Sequence, residues 1–131
     1  MARLLKVKVG RIRIDLADPD GAARACIEPT NAKNRIRIAA AGDACLRAFG
    51  IVTALHQGAL MDEIEIDNAL SELYDDEADH PRLRCEAIAE VERWFDPPNV
   101  QAAVVELVEA LMRQGQIDGT EAEAISGRHI A

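Results

Sequence analysis

The sequence predicts an α+β fold: a small N-terminal antiparallel β-hairpin or sheet followed by a bundle of four to five α-helices. Three observations carry this reading. Apolar and polar residues alternate over the first 16 positions, apolar residues recur at helical spacing from Asn31 onward, and capping or turn residues separate the periodic stretches. A length of 131 residues suits one domain. Within it, residues 1–30 form a β-rich basic part and residues 31–126 a helical acidic part.

At the N-terminus, Leu5, Val7 and Val9 occupy odd positions, and Ile12, Ile14 and Leu16 even ones. The phase change at Gly10-Arg11 predicts a two-residue hairpin that pairs Val9 with Ile12 and puts the six apolar side chains on one face. A single bent strand with a bulge at Gly10 is the alternative, because the hairpin sets Lys8 opposite Arg13. Asp18-Pro19-Asp20-Gly21 reads as a turn, and Arg24 to Glu28 as a short strand ended by Pro29. The first helix carries Ile38, Ala41, Gly42, Cys45, Leu46 and Phe49 on one stripe, with Gly50 closing it and residues 51–57 adding a turn or two. Asp62 with Glu65 resembles a capping box that opens a helix striped by Ile66, Ala69, Leu70, Leu73 and Tyr74. Residues 75–81 read as a loop. Leu83, Ala87, Val91 and Trp94 mark the next helix, which stops before Pro97-Pro98. Asn99 caps another, lined by Val100, Val104, Leu107, Val108 and Leu111 and ended by Gly115. Thr120 with Glu123 opens a last short helix through Ile125, leaving His129 in a frayed tail.

Hydrophobic residues make up 49% of the chain and charged residues 29%, a soluble globular balance with no stretch apolar enough to span a bilayer. The charged, alternating N-terminus does not read as a secretory signal. Three cysteines without a CxxC argue for a reducing, cytoplasmic setting. The net charge of −8 is divided unevenly. Residues 1–50 hold ten Lys/Arg and five Asp/Glu, whereas residues 51–131 hold five Arg and eighteen Asp/Glu. No Lys or Arg lies between Arg47 and Arg82. That interval contains Asp62, Glu63, Glu65, Asp67, Glu72, Asp75, Asp76, Glu77 and Asp79.

These nine carboxylates, without counter-charge in their own stretch, predict a negative surface for a basic protein partner. Direct nucleic-acid binding through this half is excluded, because phosphates demand positive charge. The basic half has a single aromatic residue for base stacking, Phe49. Its opposite charge, with an exposed sheet edge, also allows a homodimer.

Catalytic signals are thin. The chain has no HExxH, GxSxG, P-loop or Gly-rich dinucleotide turn, and its glycines read as isolated punctuators. His56, His80 and His129 lack ligand spacing, and Cys26, Cys45 and Cys85 are far apart in sequence. Cys45 reads as an inert apolar-face thiol. No metal ligand, cofactor or catalytic residue is assigned. Trp94 is expected in the core; an exposed aromatic–proline docking patch is the alternative.

Three stretches, AAAGDACLRAFG (39–50), DEIEIDNALSEL (62–73) and AAVVELVEALMRQGQIDGTEAEAI (102–125), resemble the peptidase domain of FtsH-type ATP-dependent zinc proteases and its small stand-alone relatives. The resemblance covers roughly residues 27–126 and rests on helix-packing and capping patterns. It implies a zinc helix with HExxH ahead of the N-terminal strands, which this sequence lacks, and a third, carboxylate ligand at Glu65 or Asp67. The family's usual glutamate in the small-residue helix is also missing, with Leu46 and Arg47 nearby, and there is no ATPase module. The resemblance thus implies a fold that has lost its chemistry, and function does not follow from fold in such a case.

The reading that follows is a non-enzymatic, acidic interaction or regulatory protein. Such a protein suits a phage or mobile-element inhibitor that occupies the basic surface of a nucleic-acid-handling host machine such as a defence nuclease. The alternative is a zinc-dependent, peptidase-like hydrolase with a site rebuilt from His56, His80 and Glu65 or Asp67.

Overall fold

The computed structural model describes residues 1–2, 4–6, 8–13, 24–50 and 57–131, with the backbone alone at 24–26 and 57–61. It is an α+β fold with three strands and five helices among these residues. They form two compact units: Thr30–Asp96 with Met1, and Ala2–Pro29 with Pro97–Ala131.

In the first unit, α1 (Ala32–Ala48) packs on α2 (Gln57–Leu73) and on α3 (His80–Trp94). Asn31 caps α1 by accepting a 2.9 Å hydrogen bond from the Asn34 N–H, and Gly50 follows its end at φ +69°. The buried face of α1 is Ala32, Ile36, Ala39, Ala40 and Ala44. The expected stripe is displaced: Ile38, Ala41, Cys45 and Leu46 are half-buried, and Gly42 and Phe49 are exposed. Short alanines let two helices approach one side of α1 closely, which turns the larger aliphatic residues to its flanks.

Helix α2 starts at Gln57, so Asp62 lies inside it and caps nothing. Ala59, Leu60 and Met61 favour a helix, and no breaker separates them from Asp62. Ile66, Ala69 and Leu70 are buried as expected, whereas Leu73 and Tyr74 are exposed. Asp76 accepts from the Ala78 N–H and starts a single 3-10 turn, Glu77–Asp79, within the expected loop. His80 begins α3 and Pro81 occupies its first turn, where proline's missing N–H costs nothing. Val91 and Phe95 are the buried residues near its end. Trp94 is half-buried beneath the Arg37 guanidinium, 5.3 Å from the ring centre, so Phe95 takes the core place expected for Trp94.

In the second unit, β1 (Val9–Arg13) runs straight through Gly10-Arg11, which overturns the two-residue hairpin. Val9 pairs with Ile27 and Ile12 with Ala25 on β2 (Arg24–Ile27), so three steps on β1 match two on β2. This is the bulge alternative: one extra residue reverses the alternation and keeps Val9 and Ile12 on one face. On the other edge, Ile12 pairs with Ile117 of β3 (Gln116–Ile117), giving the order β2-β1-β3. Val7, Ile14 and Leu16 of the six-residue pairing scheme lie outside the described residues, as do the turn at 18–21 and residues 51–56 of the extra turn.

Pro97 takes the extended cap position and Pro98 the first turn of α4 (Pro98–Gln114). Asn99 therefore lies within the helix, and its Nδ2 donates to the His129 carbonyl at 3.1 Å. Gly115 closes α4 at φ +77°. Helix α5 (Gly119–His129) is capped by Asp118, whose carboxylate accepts from the Glu121 N–H at 2.8 Å. The cap thus lies two residues before the expected Thr120, and the helix reaches His129. Ala110, Ile117, Ala122 and Ile125 form this unit's core, with Val9, Ile12, Leu107 and Leu111 packed against it.

Candidate interaction surface

The nine carboxylates do not stand together as one unneutralised patch. Helices α1 and α3 bring the counter-charges that the stretch itself lacks. Arg35 on α1 holds Glu65 at 3.0 Å and Glu72 at 2.7 Å, and these two hydrogen bonds, Glu72's foremost, push its pKa up. Arg84 on α3 holds Asp67 at 3.1 Å and Glu63 at 3.4 Å. Arg37 reaches Glu90 at 3.2 Å. The arginine side chains are more covered than the carboxylates they hold. Asp62, on the same helix, is also engaged in an interaction. Arg35 from the basic half and Arg84 from the acidic half thus meet four of the nine carboxylates within a single unit.

What remains is the connection after α2. Asp75, Asp76 and Glu77 are exposed, and no ion pair reaches them among the described residues. Asp76 is occupied by its turn, and Asp79 lies 3.7 Å from Arg82, which also holds Glu86 at 2.9 Å. Immediately before this trio, Leu73 and Tyr74 are 41% and 45% exposed. Sequence periodicity assigned both to the core, because they continue the apolar stripe of α2. The helix ends at Leu73, and its stripe ends with it. Two exposed apolar side chains thus adjoin carboxylates that no ion pair reaches among the described residues.

The other candidate chemistry does not converge among the described residues. Among the described residues, no three His, Cys, Asp or Glu side chains are grouped to hold a metal ion. Glu65 and Asp67 are both paired with arginines, as are Glu72 and Glu63 of the same helix. His80 is buried, with no hydrogen-bond partner for Nε2 among the described residues, and His56 lies outside them. Burial pushes the Cys45 thiol up, which disfavours the thiolate that reacts.

A second polar cluster, not foreseen, joins α4 to α5. Glu106 binds Arg128 through one oxygen and His129 Nε2 through the other, the latter at 2.5 Å. The His129 hydrogen bond first, and Arg128 second, hold the Glu106 carboxyl below the usual carboxylate range. His129 is thus tied into the last turn of α5, and the frayed-tail expectation fails. The pattern is faint in sequence, because Glu106 and His129 lie 23 positions apart.

No protein-family model matches the chain, and comparisons with curated proteins and with solved structures returned no match.

Proposed function

We propose that this protein is a cytoplasmic, non-enzymatic binding module that docks on a basic protein surface through the segment from Leu73 to Asp79. The observation that carries this reading is the exposed trio Asp75, Asp76 and Glu77 next to exposed Leu73 and Tyr74. The carboxylates steer a cationic partner and set the register, while the two apolar side chains bury against it. Glu63, Glu65, Asp67 and Glu72 contribute less than their number suggests, because their charges are already met from α1 and α3. A basic surface of this kind belongs to nucleic-acid-handling proteins, and occupying it would block or regulate their access to phosphates.

The test is affinity capture from source-cell lysate with the wild-type chain and with D75K/D76K/E77K, read by mass spectrometry. Capture of a basic protein by the wild type, lost with the reversed trio and weakened by Tyr74→Ala, supports the reading. Equal capture by all three chains would refute it.

A further inference from the structure

We propose that this protein pairs with a second copy of itself through the outer face of α4, the two helices lying antiparallel about a two-fold axis. Val105, Val108 and Met112 are spaced by three and four residues, which lines them along one stripe of the helix. They are 44%, 51% and 55% exposed. Half-buried Val104 and Leu111 border the stripe on one side. Helix α4 is therefore apolar over a wider arc than the packing of α5 and β3 against it requires. A helix that belongs only to its own unit would carry polar residues there.

The charges along the stripe say what covers it. From Pro98 to Val105 the helix bears no charged residue, and none lies on the stripe itself. A basic or acidic partner would find no counter-charge on this face. Along the other border stand Glu109 and Arg113, one turn apart and both exposed. Neither takes part in an ion pair with a described residue. A two-fold axis perpendicular to α4 reverses the partner helix and keeps the same border alongside itself. Glu109 of one copy then lies beside Arg113 of the other, and the reverse pair forms by symmetry. Val108 and Met112 meet their counterparts beside these two pairs. The stripe is short, so the dimer is a weak one whose population depends on concentration.

Sedimentation velocity over a range from low micromolar to several hundred micromolar tests this. The mass is expected to rise from the 14.3 kDa monomer toward about twice that value. Glu109→Arg and Arg113→Glu, each alone, set like charges opposite one another and are expected to raise the dissociation constant about three- to tenfold. The double exchange E109R/R113E is expected to return it close to wild type, an outcome that general surface damage does not produce. Val108→Asp, with its fold checked by circular dichroism, is expected to abolish association. A mass of 14.3 kDa at every concentration overturns the proposal. So does association that the single exchanges leave unchanged, or that the double exchange fails to restore. The acidic segment is intact in all these variants, so a failed dimer and a failed partner-binding reading are told apart.

Discussion

Gly119 shows how much a single position carries. A Cβ built there would lie 2.1 Å from the Val9 carbonyl oxygen and 3.2 Å from the Gly10 Cα, both backbone atoms that cannot swing aside. The first residue of α5 is glycine because β1 passes directly against it. Gly119→Ala should cost about 1–3 kcal/mol by forcing strand and helix apart, measurable by urea unfolding. Reading Gly119 as a punctuator missed this, since nothing local announces a strand more than a hundred residues earlier in the chain. Glu106 carries a different dependence. Its carboxyl is held below its ordinary value of 4.5 by His129 and Arg128, so it favours the folded state when ionised. That contribution is present above the usual carboxylate range and is lost as pH falls through the depressed value. Thermal melts should therefore fall more steeply below about pH 4.5 for the wild type than for Glu106→Gln. Parallel curves for the two chains would show that the cluster does not support the fold.

At the scale of elements, periodicity located the helices well and their ends poorly. The strand at 24–27 and the close at Gly115 were legible because proline and glycine act locally, whereas α3 begins at His80, inside the stretch that reads as a loop. The caps were not, because two candidate carboxylate or hydroxyl residues often lie within three positions. Asp118 and Thr120 are such a pair, and the turn after Gly115 decides between them by pairing Ile117 with Ile12. Asp118→Ala should cost about 1 kcal/mol, while Thr120→Ala should stay within about 0.5 kcal/mol, both read by chemical denaturation. Equal losses would contradict the observed cap. The bulge in β1 makes the same point. A reversed alternation is the signature of either a turn or one extra residue, and only the identity of the pairing strand separates them.

At the scale of the whole molecule, net charge was legible and its distribution was not. The interval between Arg47 and Arg82 is devoid of Lys and Arg in sequence, yet arginines from the flanking helices reach into it. Arg35 lies 30 and 37 positions from Glu65 and Glu72, and Arg84 lies 17 positions from Asp67, separations that no short linear window can pair. The surface that remains is smaller than the acidic count implies and contains two apolar side chains that periodicity placed inside. The central claim is that this surface binds by charge around an apolar anchor. The measurement that tests it most directly is the affinity for the captured basic partner as a function of salt, for wild type and D75K/D76K/E77K. Wild-type binding should weaken steeply between low and moderate salt, where exposed charges are screened beyond roughly 10 Å, and the reversed trio should bind weakly throughout. Wild-type affinity that is independent of salt and unchanged by the reversal would contradict it.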